Sequence, residues 1–481
     1  MAAYEPVIGL EIHVELTTNT KVFCGCSTAF GAEPNTQVCP VCIGMPGVLP
    51  VINERVVEYA IRAALALNCR VAPQSSMDRK NYYYPDLPKN YQISQNYECF
   101  ATDGWVDLSL PGGEHRVGIG NLHIEEDAGK NVHAEDTGLL GFSCVDLNRA
   151  GVPLLEIVSE PDIHTLEQLD AYMELMRGIL VYIGVSDCRM EEGRLRFEAN
   201  VSVREEGDAS LPPFRVEMKN LNSVKICHQA VEFEIERQSE ALERGETPSS
   251  ETRLWDPKRR ITQTMRSKEE AKDYRYFPEP DLVPLVIEQA WVERVRAGLP
   301  ELPHHKRERL VAEYGLPEYD AAVLTTDGAV ADLFEGAVAA GAPAKEASNW
   351  VMGELFRLLK EDERDASSLP PETPGVLSEV IGYVSSGRIN RNAAKTVFEE
   401  WYRIGVAPDA IIKERGLEVV GGGAELEGIA RGVIEANEKP VADFRAGKKQ
   451  AIGFLVGQVM KETRGSADAN AAREALLKLL S

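Results

Sequence analysis

The sequence predicts an α+β protein, with an N-terminal domain built on a mixed or antiparallel sheet followed by an all-helical part. From Tyr4 to about Pro280, segments in which apolar and charged residues alternate are interleaved with amphipathic helical segments. The helices do not recur regularly enough between these segments for an all-parallel sheet. From about Gln289 onward the alternation fades, and nearly every segment is typical of helix, interrupted by glycine and proline.

The length of 481 residues corresponds to about three domains. We predict a sheet domain at 1–290, a helical domain at 291–407 and a small helical tail domain at 408–481. The net charge of -24 argues against a surface that coats nucleic acid, so any RNA contact must be local. The N-terminus has no signal-peptide pattern, and no apolar run reaches about 18 residues. Cytoplasmic localisation is therefore expected.

Three segments predict strands with one apolar and one charged face. Their apolar positions are centred on Ile12, Phe197 and Val216. The charged positions are Glu11, His13 and Glu15 in the first strand, Arg196, Glu198 and Arg204 in the second, and Arg215, Glu217 and Lys219 in the third. If the three strands share a sheet, these groups lie on one face of it.

Helices are predicted after Asn53, after Thr165 and from Val224 to about Arg244. Thr165 and Gln168 have the spacing of a capping box, and Gly245 follows the third helix as a stop signal. In the tail, the glycine-rich residues 420–423 predict a turn within a small helical bundle.

Four of the nine cysteines are clustered in the sequence. Cys24 and Cys26 are separated by one residue, and Cys39 and Cys42 by two. Two such pairs on short turns suit a tetrahedral four-thiolate zinc site, which leaves no position open for water and would therefore be structural. The alternative is a group of unligated buried thiols.

Carboxylates and an imidazole on the predicted charged face suggest a magnesium site. Glu156 lies within an apolar strand, where a lone carboxylate is costly to bury without a cation, and residues 122–129 place further acids at a strand end. Mg2+ prefers oxygen ligands and is usually held by a few carboxylates together with substrate phosphates. The alternative is an ordinary solvated face of an antiparallel sheet.

Arginine and lysine interleaved with these acids suit phosphoryl transfer, which depends on positioning and charge neutralisation. The sequence has no Walker A loop, dinucleotide fingerprint or protein-kinase motif set, so a Mg-ATP site here must lie on an open sheet. It also lacks a Gly-x-Ser-x-Gly elbow and a Ser-Ser-Lys set.

Two aromatic segments, residues 78–95 and 273–281, contain basic residues among tyrosines. Such side chains stack on unpaired bases, although tyrosines beside proline-rich turns can equally pack over a sheet edge. Residues 441–464 hold five basic and two acidic residues, against the trend of the chain. This segment is a candidate for phosphate contact, with a solvated turn as the alternative.

Several motifs, in order along nearly the whole chain, resemble the B subunits of the glutamyl/aspartyl-tRNA amidotransferases. They are VIGLEIHVEL, the cysteine cluster with IGMPGVLPVIN, DRKNYYYPDLPKNYQISQ, HIEEDAGK, VDLNRAGVPLLEIVSEPD, CRMEEGRLRFEANVSV, EMKNLNSV, DYRYFPEPDLVPL and AIGFLVGQVMK. The resemblance implies a cradle domain related to glutamine synthetase and guanido kinases, followed by two helical domains that hold tRNA. It also implies a carbon-nitrogen ligase that phosphorylates Glu or Asp on tRNA(Gln) or tRNA(Asn) with Mg-ATP.

The family's metal positions fall on Glu11, His13, Glu126 and Glu156, with Glu125 as a neighbour. Glu125 and Glu126 should point to opposite faces of a strand, and we predict Glu126 as the ligand. Lys80, Arg196 and Lys219 are predicted to contact phosphate or carboxylate. Glu125, Glu198, Glu217, Arg204 and Arg215 are predicted to line the nucleotide site.

The resemblance further implies a heterotrimer with an amidase A subunit and a small C subunit, in which the amidase supplies ammonia. Many family members lack the four cysteines, and residues 461–469 match the family tail only loosely. Two rival hypotheses are a tRNA-binding scaffold without catalysis and a free-standing ligase of glutamine-synthetase type that acts on a small acid.

Overall fold

The computed structural model describes residues 4–132, 142–267, 274–419, 423–446, 448–463, 467 and 469–480. The chain divides into two compact units, Met1–Leu302 and Pro303–Ser481. Every strand of the described residues lies in the first unit, and the second unit is helical. The predicted α+β class, with a mixed sheet followed by helices, is confirmed.

The strands form one large sheet and three small ones. They are β1 Tyr4–Glu15, β2 Arg70–Val71, β3 Gln74–Ser75, β4 Asp78–Asn81, β5 Tyr91–Ser94, β6 Ala101–Leu110, β7 Gly113–Glu126, β8 Lys130–Val132, β9 Cys144–Asp146, β10 Pro153–Ser159, β11 Leu195–Glu205, β12 Val216–Leu221, β13 Glu251–Asp256, β14 Ile261–Ser267, β15 Phe277–Pro278 and β16 Leu285–Val286.

The large sheet has nine strands in the order β14-β13-β12-β11-β1-β10-β7-β6-β2. All neighbours are antiparallel except β12 and β13, which are parallel. The three strands predicted from alternation, β1, β11 and β12, are neighbours, as expected. A small sheet of order β15-β4-β5 joins the two aromatic segments.

The helices of the first unit share one hydrophobic core with the apolar face of the large sheet. They are α1 Glu54–Ala66, α2 Leu166–Tyr182, α3 Val224–Glu243 and α4 Gln289–Ala297. Side chains from one face of each helix join the even-numbered apolar residues of β1 in one core. Because apolar groups fill this face, the charged side chains of the same strands must lie on the other face.

The predicted ends of these helices are confirmed. Asn53 caps α1 by accepting a hydrogen bond from the Arg55 amide at 2.9 Å. Thr165 Oγ1 accepts from the Gln168 amide at 3.1 Å, while Gln168 Oε1 accepts from the His164 amide at 2.7 Å. The return bond of the capping box thus comes from the residue before the cap. Gly245, at a φ of 77°, follows α3.

The second unit consists of short helices. They are α5 Pro303–Tyr314, α6 Glu318–Leu324, α7 Gly328–Ala339, α8 Ala344–Trp350, a π-helix Val351–Leu355, α9 Phe356–Glu361, α10 Thr373–Ser385, α11 Arg391–Ile404, α12 Pro408–Arg415, α13 Gly423–Ala436, α14 Glu438–Arg445, α15 Ala451–Glu462 and α16 Ala469–Leu480. No described helix combines the length and apolarity needed to cross a membrane.

The boundary between the units follows the hydrophobic cores. Val292 and Val295 of α4 pack into the core of the first unit, which therefore extends to Leu302, past the predicted boundary at 290. The second unit holds two apolar clusters, one from Leu310 to Ile412 and one from Leu426 to Leu480. Its division into 291–407 and 408–481 stays a prediction. The turn predicted at 420–423 falls mostly outside the described residues.

Candidate active site and metal centre

The polar face of the large sheet carries the predicted charged groups on neighbouring strands. His13 of β1 lies opposite Glu156 of β10 on one side and opposite Arg196 of β11 on the other. Glu156 in turn lies opposite His123 of β7. Side chains directly opposite each other in antiparallel strands are close neighbours. The register therefore assembles this site from residues far apart in the sequence.

His13, Glu125 and Glu156 each offer a ligand atom within 4.8 Å of the other two. His13 Nε2 lies 3.4 Å from Glu156 Oε2 and 3.7 Å from Glu125 Oε1. The three side chains are at most 16% exposed, which does not fit a merely solvated face. Burial alone would lower the pKa of His13, but the hydrogen bond and charge of Glu156, with Glu125, raise it to about 9.

Of the two neighbouring glutamates, the structure places Glu125 at this cluster and not the predicted Glu126. β7 remains extended through both residues, so their side chains point to opposite faces. Glu126 forms an ion pair with Lys89 and accepts a hydrogen bond from the Ile93 amide at 2.9 Å. Glu125 instead accepts from Ser94 Oγ at 3.3 Å and faces His13.

His123 is a site residue that the sequence reasoning missed. Its Nε2 lies 3.1 Å from Glu156 Oε2, and its Nδ1 lies 3.0 Å from Asn121 Oδ1. Burial opposes ionisation of Glu156, yet the two imidazoles hold the pKa of its carboxyl well below the usual range. The alternating pattern could have identified His123 as a site residue, since it precedes Glu125 by two residues and therefore lies on the same face of the strand.

Glu11 lies on the same face but is not one of the three grouped residues. Its Oε1 accepts a hydrogen bond from Asn200 Nδ2 at 2.9 Å. Burial, followed by the negative charge of Glu156, raises the pKa of the Glu11 carboxyl. Glu11 and Asn200 line a cleft of about 390 Å³ together with Pro212 and Phe214. Glu11 thus lies between the cluster and an open cleft of mixed polarity.

Glu198, Glu217 and Lys219 form an ion cluster on β11 and β12. Lys219 Nζ lies 2.8 Å from Glu217 Oε1 and also pairs with Glu198. The carboxylates raise the pKa of Lys219 even though burial acts in the opposite direction. Because Glu198 and Glu217 already pair with Lys219, a substrate phosphate can contact the Lys219 ammonium group only alongside these two carboxylates.

Arg196 is held by a carboxylate outside the predicted set. Its Nη2 donates to Asp127 Oδ2 at 2.9 Å, and Arg149 Nε lies 3.6 Å from the same oxygen. Glu15 is close by, and burial together with Asp127 raises its pKa. The charged face therefore extends from the His13 cluster to an arginine pair around Asp127.

Arg204 and Arg215 are not brought to the His13 cluster. Arg204 Nε pairs with Glu5 Oε1 at 2.6 Å, near the start of β1. Arg204 lies eight positions after Arg196 in an extended strand, a distance of about 26 Å. Arg215 is exposed and also lines the cleft beside Glu11.

Lys80 projects from β4 into a group of tyrosines. Its Nζ lies 5.2 Å from the centre of the Tyr274 ring, and that ring is 6.0 Å from Tyr276 and 5.9 Å from Tyr82. Burial would lower the pKa of Lys80, but the charge of Glu125, with Tyr276 and Glu156, raises it. Lys80 shares its face of the small sheet with Ser94, whose Oγ donates to Glu125, so it lies on the side that contacts the acidic cluster.

The two aromatic segments contact each other, with Phe277 paired to Arg79 and Pro278 to Asp78. Their tyrosines are not equivalent: Tyr82, Tyr274 and Tyr276 are half-buried, whereas Tyr83 and Tyr84 are 74% and 58% exposed. Packing explains the first three, while the last two can offer ring surface to a partner. Asp273 lies outside the described residues.

The four clustered cysteines converge, with ligand atoms within 4.8 Å of one another. A bridge between Thr20 and Ser27 closes the turn that carries Cys24 and Cys26. Lys21, which is buried, places Nζ 3.6 Å from Cys42 Sγ and 2.8 Å from the Gln37 carbonyl. Four convergent sulfurs beside a buried cation could bind a metal.

The basic segment of the tail includes the end of α14 and all of α15. Lys448 pairs with Asp443 at 2.9 Å, and Lys449 is exposed. Gly453 and Gly457 are exposed, and a methyl group added at either position would meet no neighbouring atom within 4 Å, so the described residues leave this face of α15 open. Gly447 and residues 464–466 lie outside the described residues.

Most of the chain matches known protein families. A family model described as the GatB/GatE catalytic domain matches residues 6–293, and one described as the GatB domain matches residues 332–480. A protein from Caldanaerobacter subterraneus subsp. tengcongensis is 52% identical over 478 residues, or 99% of each chain. One from Carboxydothermus hydrogenoformans is 52% identical over 476 residues, or 99% of this chain and 98% of the relative.

Both relatives, and one from Geobacter sulfurreducens that is 52% identical over 477 residues, are named as the B subunit of an aspartyl/glutamyl-tRNA(Asn/Gln) amidotransferase. The last match covers 99% of each chain. With both family models matched in order and more than half of the residues identical over nearly the full length, the chain belongs to the family of aspartyl/glutamyl-tRNA(Asn/Gln) amidotransferase B subunits.

Proposed function

We propose that this chain uses Mg-ATP to activate the side-chain carboxylate of Glu on tRNA(Gln), of Asp on tRNA(Asn), or of both. The γ-phosphoryl group passes to a carboxylate oxygen, giving ADP and an acyl phosphate. Ammonia nitrogen then attacks the acyl carbon, inorganic phosphate leaves, and the excess proton passes to solvent. The products are an amide on the tRNA, ADP and phosphate.

The observation that carries the proposal is the convergence of His13, Glu125 and Glu156 on a buried polar face. A tRNA-binding scaffold would have no need to bury two carboxylates against an imidazole. Such burial is costly unless the groups serve a bound cation or a substrate. The family membership of the chain points to the same chemistry.

The donor set fits magnesium through its carboxylates. Glu125 and Glu156 supply the oxygen atoms that Mg2+ prefers, Glu11 supplies another on the same face, and His13 contributes a nitrogen. When bound, the ion would neutralise the negative charge of the phosphoryl group during transfer. His123 fixes the orientation of Glu156 through its hydrogen bond, as groups behind metal ligands commonly do.

Positive side chains around the cluster are suited to hold phosphate and carboxylate oxygens. Lys80 lies on the face of the small sheet that contacts Glu125 through Ser94, and Arg196 and Lys219 lie on the strands beyond His13. Arg196 and Lys219 are each paired with carboxylates, which orient them before a substrate arrives. Prealigned cations stabilise the charge that develops during transfer without having to reorganise.

Ammonia has to come from a partner. The sequence carries no amidase nucleophile motif, and the relatives are named as one subunit of a larger amidotransferase. We propose an amidase A subunit and a small C subunit as partners. The exposed Tyr83 and Tyr84 are candidates to stack on the unpaired end of the tRNA, and the basic tail is a candidate to contact its phosphates.

The direct test is amide formation on Glu-tRNA(Gln) with Mg-ATP, using ammonium salt in place of the amidase. We expect glutamine on the tRNA, dependent on ATP, and its loss in Glu11→Ala. Tight tRNA binding without product, with the amidase subunit also present, would support the scaffold hypothesis. Activity on free glutamate would support the free-standing ligase.

We also propose that Cys24, Cys26, Cys39 and Cys42 hold one structural zinc ion. The expected result is about one zinc per chain by plasma mass spectrometry, with loss of the metal and a Tm lower by several degrees in Cys42→Ser. The buried Cys227 provides the control, since Cys227→Ser should retain the metal. Full activity in metal-free protein would agree with a structural role, whereas wild-type protein purified without metal would contradict the site.

A further inference from the structure

The ion pair between Arg79 and Glu279 links the two aromatic segments. Arg79 Nε donates to Glu279 Oε2 at 2.7 Å, and Nη2 donates to Oε1 at 2.8 Å. Nη2 also lies 3.2 Å from Asp281 Oδ2. The guanidinium is 4.1 Å from the centre of the Tyr91 ring and 5.7 Å from that of Phe277. The pair is thus two-pronged and enclosed by aromatic rings.

The carboxylate of Glu279 is fully buried, whereas the side chain of Arg79 is 18% exposed. A buried ion pair with this geometry holds its two side chains in one arrangement, because separating them leaves each charge buried without a partner. A surface ion pair, by contrast, holds its partners weakly. This bond therefore fixes the position of residues 274–281, which we call the strap, against β4.

The other end of the strap is fixed by Asn81. Its amide donates to the Tyr274 carbonyl at 2.9 Å, and its Nδ2 donates to the Arg275 carbonyl at 2.8 Å. Tyr97 adds a hydrogen bond from its hydroxyl to the Tyr276 carbonyl at 2.9 Å. The strap is therefore held at both ends and in its middle.

Lys80 lies between Arg79 and Asn81 on β4, so its side chain leaves the strand on the opposite face. On that face its Nζ lies 5.2 Å from the centre of the Tyr274 ring, and Tyr274 contacts Tyr276, the other strap tyrosine. The same face carries Ser94 of β5, whose Oγ donates to Glu125 at 3.3 Å, so Lys80 lies on the side of the small sheet that contacts the acidic cluster. The position of the Lys80 ammonium group thus depends on how β4 and the strap are joined.

We propose that Arg79 and Glu279 are positioning residues for the reaction, and that their pairing fixes Lys80 and the strap tyrosines over the acidic cluster. This inference rests on the proposed phosphoryl transfer, in which Lys80 contacts phosphate or carboxylate oxygens. Neither Arg79 nor Glu279 touches the substrate. A displacement of about 1 Å at a catalytic group can cost about 100-fold in rate.

The test compares Glu279→Gln and Arg79→Lys in the assembled amidotransferase. Glutamine keeps the shape of Glu279 without its charge, and lysine keeps the charge of Arg79 without the two-pronged geometry. Asp107→Asn is the matched control, because Asp107 forms an exposed two-pronged pair with Arg116 in the same unit. Two readouts are taken: kcat and KM for amide formation, and acetylation of Lys80 by a succinimidyl ester, quantified by mass spectrometry.

We expect Glu279→Gln to lower kcat about 10- to 100-fold, with little change in the KM for tRNA, and to raise the rate of Lys80 acetylation several-fold. Arg79→Lys should fall between it and wild type, and Asp107→Asn should match wild type in both readouts. Unchanged Lys80 acetylation would overturn the proposal, whatever the activity. Faster acetylation with unchanged kcat would overturn the role of the pair in the reaction and, with it, the place of Lys80 in the proposed function.

Discussion

Replacing Glu156 by glutamine is expected to lower amide formation about 1000-fold while tRNA affinity stays within a few-fold of wild type. Glu156 is the carboxylate shared by both imidazoles of the site, at 3.4 Å from His13 and 3.1 Å from His123. Glutamine has nearly the same shape but no charge, so it removes a candidate cation ligand and leaves the two histidines without their common anion. The fold should tolerate the change, because Glu156 lies on the polar face.

The measurement is single-turnover amide formation with ammonium as nitrogen donor, together with tRNA binding by filter retention. Glu160→Gln provides the control, since Glu160 is exposed and follows the end of β10. Folding is checked by the Tm of each variant. If Glu156→Gln kept a tenth or more of wild-type activity, the cluster could not be the site of activation. Equal loss of tRNA binding would show that catalysis and tRNA binding are not separate.

Much of the candidate site was predictable because alternation assigns residues to faces. The pattern around His13, Glu198 and Lys219 was sufficient to place them on one side of neighbouring strands. Alternation does not determine where a strand ends. β7 continues through Glu126, so Glu125 and not Glu126 reaches His13. His123 was visible by the same rule, two residues before Glu125.

The sequence pattern does not predict the strand register or which side chains become partners across strands. The pairing of His13 with Glu156 depends on β10 lying beside β1, which no local pattern encodes. Arg204 fits the alternating pattern as well as Arg196 does. However, β11 runs away from the cluster, so Arg204 lies near the other end of the strand, beside Glu5. Asp127, which follows β7, became the partner of Arg196 through tertiary structure. Such contacts are determined by topology, which propensity and periodicity do not specify.

The fold shows the same division between local and long-range information. The caps Asn53 and Thr165 and the stop at Gly245 were correct, because capping is a local interaction. The helix α4 has an ordinary helical pattern, and only its packing shows that Val292 and Val295 belong to the core of the first unit, which ends at Leu302.

Removing residues 420–481 is expected to raise the KM for tRNA about 100-fold while kcat at saturating tRNA stays within a few-fold. The cut is placed after Val419 because the Val419 amide still donates to the Arg388 carbonyl at 2.8 Å, and Ile411 and Ile412 belong to the preceding apolar cluster. The removed part has its own cluster, from Leu426 to Leu480. A second contact on the same RNA adds affinity through effective concentration, so its loss should weaken binding without altering the chemistry.

Point substitutions test the phosphate contact without removing the whole tail domain. Lys449→Ala should weaken tRNA binding a few-fold and reduce the slope of log Kd against log salt by about one, as expected for one lost phosphate contact. Lys478→Ala is the control, because Lys478 pairs with Glu427 elsewhere in the tail. An unchanged KM in the truncated chain would place tRNA recognition outside the tail. A large fall in kcat at saturating tRNA would mean that the tail supports the reaction itself, since weaker binding alone is overcome by excess substrate.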